Sequence, residues 1–260
     1  MIYQSLIDYL PIGSTLKSSQ KIRVITEAWA AENIFCPACG KPLQPLKANQ
    51  PVADLVCDNC KQQYELKSKA GTLGKKIADG AYTTMMQRLN EDSAPNLLLL
   101  SYEKTSFNPI SFFAIPSCFF RPISIEKRKP LANTARRAGW VGCNILLNEI
   151  PLAGRIAFIQ NQMLRSKAQI IKDWRMATDI AQAKPEAKGW LLDVMLCVDA
   201  LRKPEFSLTE LYAFEARLTE RHPDNSFVKD KIRQQLQRLR DIGYLEFIQR
   251  GRYRVIQASR

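Results

Sequence analysis

The sequence predicts a mixed α/β domain with an embedded four-cysteine metal site, followed by a smaller winged-helix domain. Helical and strand-like apolar patterns alternate along the first two thirds of the chain. Two Cys-x-x-Cys pairs interrupt this alternation near its start. Three helical patterns and a hairpin pattern follow, in the order found in a winged helix. Residues 183–189 have the composition of a linker, so we place the domains at 1–182 and 183–260.

The elements of the first domain are predicted from apolar spacing near 3.6 for helices and from short apolar or alternating runs for strands. In chain order they are a largely helical stretch at 1–35 with a cap at Ser18 and Ser19, strands at 52–56 and 63–67, a glycine hinge at 71–74, a helix at 75–90, strands at 96–102, 110–115 and 155–159, and a helix at 163–181. Residues 121–144 are basic and contain Pro122 and Pro130, which argue against a continuous helix, so we predict a structured loop there.

The second domain has clear helix boundaries. An apolar helix is predicted at 190–201, and Ser207 with Glu210 forms a capping-box pattern that opens a second helix. A third helix at 227–241 has cap candidates just before it, and Gly243 ends it. Strands at 244–248 and 252–256 then form the predicted hairpin, or wing.

The composition indicates a globular protein with a basic surface. Of 260 residues, 46% are hydrophobic, so a core can form without disulfides. The 38 lysines and arginines exceed the 25 acids by 13, which favours a nucleic-acid partner, although solubility alone would also explain a basic surface. No apolar run approaches the roughly 20 residues needed to span a bilayer. The first residues lack a signal-peptide pattern, so we expect a cytoplasmic protein.

Four of the seven cysteines have the spacing of a zinc site. Cys36 and Cys39 form one pair, Cys57 and Cys60 form the other, and seventeen residues separate the pairs. Two such turns bring four thiolates to one ion and leave no open coordination position, which is typical of structural zinc. Unrelated core cysteines or a redox pair are the competing interpretations, and both explain the joint spacing less well.

A carboxylate pair and a lysine flank the second cysteine pair. Glu65 and Lys67 point to one face of a predicted strand because strands have a period of two, and Asp54 lies on the preceding strand. Carboxylate oxygens bind hard cations such as magnesium, which polarise phosphoryl groups and lower the pKa of water. A lysine can orient that water or stabilise charge in the transition state. A solvated hairpin face is the competing interpretation. Glu27 could add a third acid from the first helix, but it is left out of the predicted set.

These residues resemble the PD-(D/E)xK nuclease superfamily, with Ala53 where its motif has a proline. A longer set of motifs resembles the DpnI family of methyl-directed restriction endonucleases. The motifs are Pro51-Val52-Ala53-Asp54, Glu65-Leu66-Lys67-Ser68-Lys69, Asp79-Gly80-Ala81-Tyr82-Thr83-Thr84-Met85-Met86, Arg128-Lys129-Pro130-Leu131, Thr134-Ala135-Arg136-Arg137-Ala138-Gly139-Trp140, Lys231-Ile232-Arg233-Gln234-Gln235-Leu236 and Leu239-Arg240-Asp241. The resemblance extends from about residue 20 to residue 256.

The resemblance implies a type II restriction endonuclease that hydrolyses double-stranded DNA at GATC sites containing 6-methyladenine. It implies a zinc-containing PD-(D/E)xK catalytic domain and a winged helix, both of which bind the methylated sequence. Asp54, Glu65 and Lys67 would be the catalytic set, with magnesium on Asp54 and Glu65 and zinc on the four cysteines. Cleavage would leave blunt ends with 5′-phosphates and 3′-hydroxyls. We expect a monomer in solution.

A reader of 6-methyladenine needs an apolar wall against the methyl group in the major groove. Trp140 is our candidate, and Gly139 and Gly142 beside it would let the backbone and the ring approach DNA. Arg136 and Arg137 would contact phosphates or a guanine edge. Trp140 as a core residue is the competing interpretation.

The third helix of the second domain and the wing are the other predicted DNA-binding surface. From residue 227 to 260 there are nine lysines and arginines against three acids. Glutamine can bond adenine and arginine can bond guanine, whereas a solvated helix face is the competing interpretation. The predicted contacts are Lys229, Lys231, Arg233, Gln234, Gln235, Arg238, Arg252 and Arg254.

Two other functions remain open on the sequence alone. The chain could be a non-catalytic zinc and winged-helix DNA-binding regulator in which the acids are structural. It could also be a structure-specific repair nuclease on the same core, which would cut DNA whatever its methylation.

Overall fold

A computed structural model of the chain describes residues 5–10, 18–46, 53–181 and 185–256. The chain forms two compact units. The first comprises Met1–Asn148 and Arg155–Trp174, and the second comprises Glu149–Gly154 and Arg175–Arg260. Pro51 and Val52 of the nuclease motif, and residues 183–184 of the predicted linker, lie outside the described residues.

The first unit is a mixed α/β structure, as predicted. Its elements are α1 (Ser18–Asn33), β1 (Gln44–Pro45), β2 (Leu55–Val56), β3 (Gln63–Ala70), β4 (Lys76–Ala81), α2 (Tyr82–Asn90), β5 (Asn96–Tyr102), β6 (Pro109–Ile115), β7 (Ile125–Lys127), β8 (Gly142–Leu146), β9 (Ile156–Gln160), β10 (Met163–Leu164) and the first half of α3 (Lys167–Ala181). Seven strands form one sheet in the order β1-β2-β3-β5-β6-β9-β10. Only β3 and β5 are parallel neighbours within it.

The core of this unit lies around the middle of the large sheet. All seven residues of β5 are buried, as expected for a strand covered on both faces. Phe112 of β6 contacts Trp29 of α1 and Phe158 of β9, with ring centres 5.8 Å and 5.5 Å away. Strand β3, which carries Glu65 and Lys67, pairs with β5 from Tyr64 to Ala70 and is therefore firmly held.

The predicted helix at 75–90 is wrong in its first half. Residues Lys76–Ala81 form β4, and α2 covers only Tyr82–Asn90. Strand β4 pairs antiparallel with β8, which pairs with β7, so a second, three-stranded sheet forms. Ile77 lies opposite Ile145 in this sheet, and that pairing partner is distant in the sequence. Tertiary pairing overrides local spacing here.

The second unit has the winged-helix pattern predicted from its sequence. Its elements are α4 (Pro185–Leu201), β11 (Glu205–Ser207), α5 (Leu208–Tyr212), α6 (Glu215–Arg221), α7 (Val228–Asp241), β12 (Leu245–Gln249) and β13 (Arg252–Val255). The strands form a sheet in the order β11-β13-β12. The capping box is present, because the Ser207 amide donates to Glu210 at 2.7 Å and the Glu210 amide donates to Ser207 at 3.2 Å.

The predicted linker at 183–189 is partly helical, since α4 begins at Pro185. Proline suits the first turn of a helix because no backbone donor is needed there. A buried ionic group also joins parts of this unit: Arg221 contacts Asp193 at 2.6 Å and Glu149 at 2.7 Å. His222 stacks on Trp190 and lies 2.9 Å from Asp193, so its surroundings are structural.

Among the described residues, none of the helices combines the length and apolar composition needed to cross a bilayer.

Candidate metal centre and nuclease site

The two cysteine pairs form two turns of the same design. The Gly40 amide donates a hydrogen bond to the Cys36 carbonyl at 2.7 Å, and the Lys61 amide donates to the Cys57 carbonyl at 2.8 Å. Gly40 and Lys61 both have positive φ, at 73° and 61°. Glycine adopts this conformation readily and lysine rarely does. The turn geometry is therefore maintained at Lys61 despite its cost.

The four cysteine sulfurs are arranged to hold one ion. All four lie within 4.8 Å of one another. The Cys36 and Cys60 sulfurs are 3.5 Å apart, and the Cys39 and Cys57 sulfurs are 3.4 Å apart. A disulfide would need about 2.0 Å, whereas four thiolates at about 2.3 Å from one zinc ion stand about 3.8 Å apart. The cluster therefore supports zinc binding, and its complete ligand set fits a structural role.

The thiols of Cys36, Cys39 and Cys60 do not ionise alike. Burial opposes ionisation of Cys39, but the Lys41 amide and the neighbouring thiols lower its pKa to about 7. Burial raises the pKa of Cys36 and Cys60. A zinc ion favours the thiolate form of each ligand, so zinc binding is coupled to proton release from these two residues.

The second cysteine turn joins β2 to β3 and so closes a hairpin. At the other end of this hairpin the Asp54 amide donates to the Tyr64 carbonyl at 3.0 Å. One Asp54 carboxylate oxygen accepts a hydrogen bond from the Leu66 amide at 2.8 Å. The carboxylate is therefore fixed beside Glu65, at the end of the hairpin away from the cysteines.

Two carboxylates hold the lysine. Lys67 Nζ lies 2.5 Å from Glu65 Oε1 and 2.7 Å from Asp79 Oδ1 on β4. We call Asp54, Glu65, Lys67 and Asp79 the acid–lysine cluster. The side chains of Asp54, Glu65 and Lys67 are 15%, 22% and 23% exposed, whereas that of Asp79 is 4% exposed. The three sequence-predicted residues thus lie together, with an additional acid behind them.

Helix α1 brings an ion pair to the edge of this cluster. Arg23 contacts Glu27 at 2.5 Å and Asp54 at 3.1 Å. Burial raises the pKa of Glu27, Arg23 opposes the rise, and the negative charge of Asp54 adds to it. Glu27 therefore lies where the sequence suggested that a third acid could stand.

The cluster carries an excess of negative charge. Burial raises the pKa of Glu65, Lys67 lowers it, and the charges of Asp79 and Asp54 raise it. Burial opposes the charge on Lys67, but Glu65 and Asp79 raise its pKa above the usual value, so Lys67 is protonated at neutral pH. A hard divalent cation binds carboxylate oxygens and would relieve this excess, so the donor set fits magnesium.

Residues 128–141, the basic loop, extend the hairpin formed by β7 and β8. The Leu131 amide donates to the Trp140 carbonyl at 2.9 Å, and the Gly139 amide donates to the Leu131 carbonyl at 3.0 Å. Arg136 and Arg137 are exposed, and the Arg137 guanidinium lies 4.9 Å from the centre of the Trp140 ring. The loop is structured, as predicted, and its cations are open to solvent.

Trp140 packs on Gly142 and is half-buried. A Cβ atom at Gly142 would stand 2.7 Å and 2.8 Å from two carbons of the indole ring. The sequence suggested that this glycine brings the ring close to DNA. In the structure Gly142 also makes room for the ring within the protein. The ring remains partly exposed, so Trp140 is not wholly a core residue.

The predicted contacts in the second unit are distributed over α7 and the wing. Lys229, Arg233 and Gln234 are exposed on α7, and Lys231 and Arg238 are half-buried there. Arg252 and Arg254 are exposed on β13.

Gln235 is a wrong assignment in this set. Its side chain is buried beside the apolar stripe of α7, which includes Ile232, Leu236 and Leu239, so it does not reach the surface. The carboxamide donates to Gln234 at 3.3 Å. A helix buries a face wider than one strict stripe, and Gln235 lies within that face.

Three of the exposed cations are paired with acids of the same unit. Lys229 lies 3.1 Å from Glu215, and Arg254 lies 2.7 Å from Glu205. Arg233 contacts Asp230. Exposed ion pairs of this kind contribute about 0–1 kcal/mol to the free energy of unfolding. A DNA phosphate can therefore replace the acid at a small cost in stability.

Two family models match the chain, one after the other. The DpnI model, described as the Dam-replacing family, matches residues 10–183. The protein belongs to the DpnI (Dam-replacing) family. The model of the Dam-replacing HTH domain matches residues 186–255 of this DpnI-family protein. The predicted resemblance is confirmed, and the family indicates a methylation-dependent restriction endonuclease that binds DNA.

In this DpnI-family protein no role was predicted from the sequence for Asp79, which belongs to the acid–lysine cluster, or for Arg23, which contacts that cluster. Asp79 was placed in a predicted helix, so its approach to β3 was not foreseen. Arg23 was assigned nothing beyond its place in the predicted helical stretch 1–35. The sequence feature that could have pointed to Asp79 is its place in the motif that begins Asp79-Gly80. For Arg23 it is the spacing of four residues from Glu27, which suits an ion pair on a helix.

Proposed function

We propose that this DpnI-family protein is a type II restriction endonuclease that hydrolyses double-stranded DNA at GATC sites containing 6-methyladenine. The observation that carries the proposal is the meeting of Asp54, Glu65 and Lys67 at one end of a hairpin whose other end holds four cysteines. Residues 1–182 would form the catalytic part and residues 183–260 the winged helix that reads the site.

The catalytic roles follow from the chemistry of each side chain. Asp54 and Glu65 would hold magnesium, which supplies Lewis-acid stabilisation of the phosphoryl group and a lower pKa for water. Lys67 is a hydrogen-bond donor that the carboxylates of Glu65 and Asp79 hold in place. In that position it would orient the attacking water and stabilise charge that develops on the phosphate in the transition state. The leaving group would be the 3′-oxygen, so the products carry 5′-phosphates and 3′-hydroxyls.

Recognition would combine the basic loop with the winged helix. Exposed Arg136 and Arg137 suit contacts with phosphates or a guanine edge, and the half-buried indole of Trp140 suits an apolar contact with the adenine methyl group. On α7 and the wing, the proposed contacts are Lys229, Lys231, Arg233, Gln234, Arg238, Arg252 and Arg254, without the buried Gln235. The protein would act as a monomer in the cytoplasm.

One digestion experiment tests the proposal. The same plasmid is prepared with and without adenine methylation and incubated with the protein in magnesium or in EDTA. We expect blunt fragments ending within GATC only for methylated plasmid with magnesium. Binding without cleavage would favour the DNA-binding regulator, and cleavage of branched or damaged DNA whatever its methylation would favour the repair nuclease.

Trp140→Ala is expected to weaken the preference for methylated DNA. An apolar contact with one methyl group contributes about 1–3 kcal/mol, so the ratio of cleavage rates on methylated and unmethylated duplexes should fall about 5- to 150-fold. Arg136→Ala is the comparison, because a phosphate contact should lower both rates alike. If both Trp140→Ala and Trp140→Phe keep the wild-type ratio of the two cleavage rates, Trp140 does not recognise the methyl group.

A further inference from the structure

Asp79 is the most buried acid of the acid–lysine cluster and has no role in the proposed function. Its side chain is 4% exposed, and Lys67 Nζ lies 2.7 Å from its carboxylate. A buried carboxylate is costly unless a cation is paired with it. Among the described residues, Lys67 is the one cation within ion-pair distance of Asp79.

The pairing of β4 explains why Asp79 faces the cluster. Asp79 lies opposite Cys143 of β8, and the register shifts between Asp79 and Ala81, which lies opposite Gly142. Such irregularities redirect side chains and are common beside functional sites. The Tyr82 amide then donates to the Val141 carbonyl at 3.1 Å. The chain that directly follows the strand of Asp79 is thus attached to the end of the basic loop.

Lys67 is shared between two acids that differ in their surroundings. Glu65 is one of the proposed magnesium ligands and is 22% exposed, whereas Asp79 is nearly inaccessible. An ammonium paired with Glu65 alone would compete with magnesium for that carboxylate. An ammonium also held by Asp79 stays in place when Glu65 binds the metal.

We propose that Asp79 is a positioning residue that holds Lys67 beside the magnesium site and links it to the sheet that carries the basic loop. The proposal rests on the proposed function and deepens it. Asp79 acts through Lys67 and contacts neither DNA nor metal.

The test is Asp79→Asn, measured by single-turnover cleavage of a methylated duplex over a magnesium titration. We expect the rate at saturating magnesium to fall about 10- to 100-fold, as for other residues that orient a metal site, and the half-saturating magnesium concentration to rise about 10-fold. The Kd for the same duplex, measured without magnesium, should stay within about twofold, because Asp79 does not contact DNA. Asp79→Glu, which keeps the charge, should be intermediate in rate and in magnesium dependence.

Glu126→Gln is the matched control. Glu126 is an acid of the same three-stranded sheet, paired with Lys76 and Asn144, and it lies outside the acid–lysine cluster. The Glu126→Gln variant should keep both the cleavage rate and the magnesium dependence of the wild type.

Two outcomes with Asp79→Asn overturn the positioning role. The first is a folded Asp79→Asn with wild-type rate and magnesium dependence. The second is a loss of rate with no change in half-saturating magnesium, because a merely structural defect gives that result. If Asp79→Asn does not fold, wild-type values for Asp79→Glu overturn the role. A wild-type protein that binds DNA without cutting it would instead reject the proposed function.

Discussion

Replacing Lys67 by alanine is expected to abolish cleavage in a plasmid digest while leaving methyl-dependent binding nearly intact. The ammonium is the cation that Glu65 and Asp79 share, at 2.5 Å and 2.7 Å. Removing one donor that stabilises transition-state charge lowers rates by about 100- to 1,000-fold. Binding should be preserved because the proposed DNA contacts lie on other residues. Single-turnover rates and Kd for one methylated duplex measure the two quantities separately.

Lys69→Ala is the control for Lys67→Ala. Lys69 lies on the same strand, two residues further along, and is exposed. Its loss removes the same charge without touching the acid–lysine cluster. Lys67→Met, which keeps the aliphatic packing, shows whether a loss of rate reflects the ammonium or a disturbed fold. Wild-type cleavage by folded Lys67→Ala would reject the assignment of Lys67 to catalysis.

Removing one cysteine ligand is expected to unfold the hairpin. Cleavage should then be lost as well, although the cysteines lie at the other end of the hairpin from Asp54 and Glu65. In small zinc-binding folds the metal contributes an apparent binding free energy of about 10–16 kcal/mol, much of which is folding energy. Cys57→Ser removes a ligand at the start of the turn that joins β2 to β3. We expect a large loss in thermal stability together with loss of cleavage.

Metal analysis of the purified protein accompanies this variant. One ion per four cysteines predicts about one equivalent of zinc in the wild type and much less in Cys57→Ser. Cys118→Ser is the control, because Cys118 lies outside the four-cysteine cluster and should leave the zinc content unchanged. Wild-type protein with less than about half an equivalent of zinc would contradict the metal centre.

Features set by local chemistry were predictable from the sequence. The cysteine spacing predicts the four-sulfur cluster because two short turns can place only their own thiols on one ion. The capping box at Ser207 and Glu210 depends on residues three apart, and the structure contains both of its hydrogen bonds. The period of two in a strand is sufficient to place Glu65 and Lys67 on one face.

Features set by distant pairing were not predictable from the sequence. The sequence from 75 to 81 has no strong strand pattern, and it becomes β4 because β8 is available as a partner. For the same reason Asp79 was not expected beside Lys67. Gln235 was misassigned because residue type suggests base contact, whereas its burial depends on the packing of α7.

The two edges of the large sheet are very short. Strands β1 and β10 are two residues long, and Pro45 in β1 has no backbone donor. Long open edges are templates for strand addition by another chain, and natural proteins often shorten them or place proline there. In the part of the chain that the structure describes, these two edge strands therefore offer little for intermolecular strand addition.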